Sequence, residues 1–262
     1  MKKVLVALFI TGIVFLTSCS VAKKDNVENI VADVGGLTAD EVGYVTMESS
    51  YKIYRDAKEL GERADLALLG RVTDISFQIL DMKTGHPPTE KTEERDAQLH
   101  TMYTVEVVTL YKGECDKTVQ IGETGGIPNY RVEEQLAVLG KDAGNGILVI
   151  SGMPDILIGE TYLFSLGTFE DSSVASALVN LDQGVYTLQD ASKKDKFSYV
   201  SAKDLISYFG EDKWTDFQAA KADGKITFSD EVRPSSEPSV NTSAPPKEDP
   251  APASPPISVD GE

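Results

Sequence analysis

The 262-residue sequence predicts a mainly β body with a short helix before the sheet and one or two helices after it. Three observations lead there. Apolar and polar residues alternate over 99–112 and again over 160–166, the period-two signature of half-buried strands. Turn-forming clusters at 113–117, 122–126 and 182–184 punctuate these runs. Only beyond Ser201 does the apolar spacing lengthen towards 3.6 residues, as a helix requires.

The elements follow in chain order. Met1-Lys2-Lys3 is a cationic start, and Val4–Leu16 is an apolar run too short for the ~20 residues that span a bilayer as a helix. Together they read as a secretory signal over residues 1–18. Residues 19–43 are polar, with Gly35-Gly36 and no sustained period, and read as a flexible tether. A β domain over 44–232 follows. Val42, Tyr44 and Thr46 alternate weakly, as in an edge strand. Tyr54–Arg63 can form an amphipathic helix with Tyr54, Ala57 and Leu60 on one face. In 64–80 the core parity runs through Leu66, Leu68, Gly70 and Val72, then switches to Ile75, Phe77 and Ile79. A phase change inside one run predicts a bulge or bend, and Gly70 permits close backbone approach. Such bends let a sheet curl.

Leu99–Lys112 and Thr118–Ile121 continue the sheet, followed by Glu160–Leu166, Ala175–Leu181 and Val185–Leu188. Ser201-Ala-Lys-Asp204 has the spacing of a capping box, and Gly210 closes that helix. Trp214, Phe217 and Ala220 predict a second helix, stopped by Gly224. Residues 233–262 hold 8 of the 12 prolines, with Ser and Ala between them. This composition predicts a disordered, solvated tail.

Charge and composition exclude several function classes. Lys plus Arg total 25 against 42 Asp plus Glu, a formal charge of -17. A nucleic-acid binder needs the opposite balance to displace counterions from phosphates. Two cysteines cannot staple a disulfide scaffold or build a Cys-rich zinc site, and two histidines leave little for His-based chemistry.

Leu16-Thr17-Ser18-Cys19, placed just after the apolar run, resembles the lipobox of bacterial lipoproteins. The resemblance implies cleavage before Cys19 and a diacylglyceryl thioether on its sulfur, with acyl chains such as palmitate. Two acyl chains anchor stably where one is marginal. Loss of Lys2 and Lys3 with the leader takes the charge from -17 to -19. The expected location is therefore the cell membrane, lipid-anchored on the extracytoplasmic face, with the bilayer as a partner through Cys19.

The body carries a second resemblance. ADLALLGRVTDI, YTVEVVTLYKGECDKTVQI, GETYLFSL and NLDQGVYTL, across roughly residues 60–190, resemble a family of exported bacterial proteins of unknown role. That pattern is in turn similar to netrin-like domains, which include tissue inhibitors of metalloproteases. The resemblance implies an OB-like, netrin-like five-stranded barrel with packed helices. The netrin-like disulfides are absent, and no functional residue carries over.

Candidate chemistry is sparse. The 17-residue connection Asp81–Ala97 is of a length that is functional or disordered, and OB-type barrels bind ligands with such a loop. Its candidate ligand residues are His86, Pro87, Glu90 and Arg95, against a solvated charge run as the plain alternative. A metal pair of His86 and His100 would require that loop to fold back, and no HxH or HxxxH spacing supports it. Cys115 lies between Glu114 and Asp116, which disfavour a thiolate. Thr124, in the run Gly122-Glu-Thr-Gly-Gly126, shows no His–Asp partners in sequence. The Gly-rich run Gly140–Gly146 lacks phosphate-loop and Ca²⁺-loop spacing. Gly184, in Asp182-Gln183-Gly184, reads as a positive-φ turn position.

No catalytic, cofactor or metal residue is expected. The expected role is binding an envelope protein, peptide or glycan. The rival is an exported hydrolase using carboxylates among Glu106, Asp155, Glu160 and Asp182. A protease-inhibitor role follows from fold analogy alone.

Overall fold

The computed structural model describes residues 42–140 and 146–229. The leader, Cys19, most of the tether, the proline-rich tail and the centre of the Gly140–Gly146 loop lie outside the described residues.

Strand β1 (Tyr44–Met47) is followed by helix α1 (Ala57–Arg63). The long strands β2 (Leu66–Asp81) and β3 (Ala97–Lys112) come next, then β4 (Thr118–Thr124). Helix α2 (Val132–Leu139) and strand β5 (Ile147–Ile150) precede β6 (Thr161–Gly167). Two short strands, β7 (Ala177–Leu178) and β8 (Val185–Thr187), lead to helices α3 (Ala202–Tyr208) and α4 (Glu211–Ala222). The body is mainly β, as expected.

The main sheet runs β4-β3-β2-β6-β7, with β8 also pairing β6, and β1 and β5 form a separate parallel pair. The ends of the main sheet meet at one isolated bridge. Gly122 N–H donates to Ser176 O at 2.8 Å, and Ser176 N–H donates to Gln120 O at 2.9 Å. The ladders therefore describe open sheets, and they do not show the closed five-stranded barrel of the sequence expectation. With only two residues, β7 is too short to carry a ladder to β4.

The phase change expected in β2 between Val72 and Ile75 is present, and it falls at Thr73. Val72 pairs Val105 and Asp74 pairs Thr104, so Thr73 is an extra residue. That one-residue shift returns Ile75 and Phe77 to the core that holds Leu66, Leu68 and Val72. Two further shifts leave Tyr111 and Val108 of β3 without direct partners in β2, and both pack into a second core. Gly70 serves close approach: a Cβ there would meet Val105 Cγ1 at 2.2 Å.

Both faces of β2 and β6 are buried. Leu66, Leu68, Tyr162 and Phe164 face the first core with α2 and β5. Leu69 and Leu163 face the second, beneath α1, α3 and α4. This explains the near-continuous apolar run Leu66–Leu69, since a strand covered on both faces loses its alternation.

Local signals set the helix ends. Asp56 Oδ1 accepts Glu59 N–H at 2.8 Å and starts α1 at Ala57, later than the Tyr54 start expected. Lys112 Nζ donates to the carbonyls of Gly61 (2.8 Å), Glu62 (3.1 Å) and Ala64, and so closes α1 at its C-terminus. Ser201 and Asp204 form the expected capping box. Gly184 departs from expectation. It is not among the positive-φ glycines, and its constraint is steric: a Cβ would meet Asn180 O at 2.4 Å. Beside it the buried Gln183 accepts from Tyr54 N–H and donates to Tyr54 O, both at 2.8 Å, and donates to Asp195 at 2.7 Å.

A candidate ligand cleft between two connections

The connection after β2 is built and not merely solvated. Asp81 Oδ1 accepts Lys83 N–H at 2.8 Å, and its Oδ2 accepts the Thr92 hydroxyl at 2.7 Å. Asp81 O accepts Gly85 N–H at 2.7 Å, closing a turn that needs φ +72° at Gly85. These hydrogen bonds hold the Asp81 carboxyl below its ordinary range, the Thr92 hydroxyl contributing most. Lys83 Nζ lies 2.5 Å from Asp96, which raises its pKa.

This turn packs on the connection between β6 and β7. His86 Nε2 lies 3.0 Å from Asp171 Oδ2. A Cβ on Gly85 would meet Val174 Cγ1 at 2.4 Å. Asp171 also accepts the Ser173 hydroxyl at 2.6 Å and Ser173 N–H at 2.9 Å. These contacts, with His86 third, hold its pKa near about 2.

Between the two connections and the end of β4 lies a cleft of about 290 Å³. His100 and Thr124 line it. The His100 ring nitrogens lie 3.0 Å from Gln98 O through Nδ1 and 3.1 Å from Thr124 Oγ1 through Nε2. Burial lowers the His100 pKa, so the ring is neutral at pH 7. Nδ1–H then donates to Gln98 O, and Nε2 accepts from the Thr124 hydroxyl. Thr124 therefore has a histidine partner 24 residues away, which the sequence did not reveal.

Two large apolar side chains stand open at this cleft, Met82 at 52% exposure and Phe169 at 54%. Phe169, Val174 and Ala175 also line a neighbouring cavity of about 430 Å³ that includes Cys115, Asp116 and Ser173. Burial first and Asp116 second push the Cys115 thiol up. Glu123 also borders the first cleft. It shares the core-facing parity of Val119 and Ile121 on β4, and its Oε1 accepts Leu178 N–H at 2.7 Å. Desolvation raises its pKa to about 7.

The candidate loop residues separate. His86 joins the two connections beside the cleft. Pro87, Glu90 and Arg95 are exposed and do not line it, and Arg95 pairs with Glu93 at 2.8 Å. Three of the four candidate hydrolase carboxylates hold other partners. Glu106 pairs with Arg71, Asp182 pairs with Lys196, and Glu160 accepts from the Tyr162 hydroxyl at 3.0 Å. The Tyr162 hydroxyl also lies 3.3 Å from the Asp155 carbonyl, a backbone contact. None of the four lines the two cavities described above. Among the described residues, no group of three or more His, Cys, Asp and Glu could hold a metal ion. No protein-family model matches the chain, and no curated protein matches it.

Sequence reasoning did not single out Met82, Phe169, Asp171 or the Thr124–His100 pair. None carries a spacing signal. His86 and Asp171 are 85 residues apart, and only the folded chain joins them.

Proposed function

We propose that the protein is a lipid-anchored lipoprotein of the cell envelope whose body binds a ligand outside the cytosol. Cys19 in Leu16-Thr17-Ser18-Cys19 supports the anchor. The observation that carries the binding role is the cleft between the 81–86 turn and the 169–177 connection. Its walls are tied together by His86 and Asp171, and two apolar side chains are left open to solvent at it. Binding sites combine a largely preformed concavity, apolar surface and a few placed polar groups in this way.

We further propose the OB-like, netrin-like barrel as the finer architecture, with the Ser176–Ile121 bridge as its closure. In such barrels the connections after the first strand and before the last carry the ligand, and those are the two walls of this cleft. That correspondence is a fold analogy.

Two measurements test the proposal. Labelled palmitate is expected to enter the full-length chain and not Cys19→Ala, which should leave the membrane fraction. Capture of an envelope component by the full-length chain is expected to disappear when residues 82–96 are replaced by a two-residue turn. Labelling that survives Cys19→Ala refutes the anchor. Capture that survives the loop replacement refutes the cleft.

A further inference from the structure

We infer that the cleft takes a neutral sugar ring of an envelope glycan, stacked on Phe169. The inference rests on the binding role proposed above and names its ligand class.

The first argument is electrostatic. Every charged side chain bordering the cleft already has a partner within the protein. Asp81 is held by Thr92 and Lys83 N–H, Lys83 by Asp96, and Asp171 by Ser173 and His86. Glu123 holds Leu178 N–H, and His100 carries no charge at pH 7. An anionic ligand would shed its hydration here beside the Asp81 and Asp171 carboxylates, with the lining lysine, Lys83, already engaged by Asp96, which is costly. A neutral ligand avoids that cost.

The second argument concerns the apolar surface. Phe169 and Met82, which line the cleft, leave more than half of their surface in water. A pyranose ring has an apolar face of C–H groups and an equatorial belt of hydroxyls. The apolar face suits an open aromatic ring, whose surface is favourable to bury.

The third argument is hydrogen bonding. Ionised Asp81 and Asp171 each use only part of their acceptor capacity, because a carboxylate offers about four lone-pair sites. The Thr124 oxygen, donating to His100, keeps its lone pairs. This lining accepts from hydroxyl donors, which a sugar supplies and an apolar ligand does not. The size agrees, since about 290 Å³ is at the lower edge of the ~300–1,000 Å³ of small-molecule sites. It holds one ring and leaves the rest of a chain outside.

The test is isothermal titration of the full-length chain, solubilised in detergent, with three neutral probes: cellotriose, maltotriose and the β-1,4-linked N-acetylglucosamine trimer. Tetralysine is the charged control. At least one trisaccharide is expected to bind saturably, with an affinity that changes less than twofold between 50 and 500 mM salt. Phe169→Ala is expected to weaken it at least tenfold, and Phe169→Trp to restore it. Phe169 is mostly exposed, so the thermal midpoint of Phe169→Ala should match the parent and exclude unfolding as the cause. Binding by none of the three sugars overturns the inference, as does binding indifferent to Phe169→Ala. Salt-sensitive binding of tetralysine alone also overturns it while leaving the binding role intact.

Discussion

Glu123→Gln is expected to stabilise the protein, and to do so only above mildly acidic pH. Glu123 is desolvated on the core-facing side of β4, with Leu178 N–H on Oε1. Its carboxyl rises from 4.5 to about 7. The native state therefore binds this proton more tightly than the unfolded chain does. The resulting stability is fully present below about pH 4.5 and is lost as pH rises through about 7. A displacement of about 2.5 units at ~1.36 kcal/mol each makes the loss about 3 kcal/mol by pH 8. Glutamine keeps the acceptor for Leu178 and cannot ionise, so Glu123→Gln should recover most of that loss. Its thermal midpoint should match the parent near pH 4.5 and exceed it by about 6–12 °C at pH 8, at ~2–4 °C per kcal/mol for a domain of this size. Parallel thermal melts from pH 4.5 to 8.5 give the difference directly, and contributions of other groups largely cancel in it. A difference that stays flat with pH, or a Glu123→Gln protein less stable at pH 8, refutes the assignment of a desolvated, proton-retaining carboxyl.

Three further outcomes follow from the packing. Gln183→Ala strands the buried backbone of Tyr54 at both N–H and C=O, at ~1–3 kcal/mol per unsatisfied group. Urea denaturation should show a loss of about 4 kcal/mol, and a loss below about 1 kcal/mol contradicts the hub role. Gly70→Ala drives a methyl against Val105 Cγ1 and should cost about 1–3 kcal/mol. Adding Val105→Ala should remove that clash, so a double-mutant cycle with no coupling argues against it. Cys115, with its thiol pushed up by burial and Asp116, should react with iodoacetamide several-fold more slowly than free cysteine at pH 7.5. Asp116→Asn should accelerate it, and alkylation at the free-thiol rate contradicts the buried setting.

Strands β2, β3, β4 and β6 were legible because their cue is local. Alternation records which side of each strand meets a core, and Ser201 and Asp204 announce a helix start through hydrogen bonds three residues apart. Helix α2 was not legible. It begins at Arg131 in the left-handed region with no side-chain cap, so no cap residue marks it. Strand β5 was equally silent, since four apolar residues carry no period and their partner, β1, lies about 100 residues earlier. The expected strand over Ala175–Leu181 shrinks to two residues, because Ser176 turns to bridge β4 instead of continuing along β6.

What the sequence determined by itself was the β character of the body, the acidic balance, the Ser201–Asp204 capping box of α3 and the phase shift in β2. Each depends on neighbours a few residues apart or on composition. The tertiary structure alone decided the cleft. It turned the 81–97 connection back on Asp81, set His86 against Asp171, and joined Thr124 to His100. These contacts link residues 11 to 85 positions apart, and no local propensity encodes them. They form because the sheet register brings two connections to the same end, where their polar groups must find partners or remain in water.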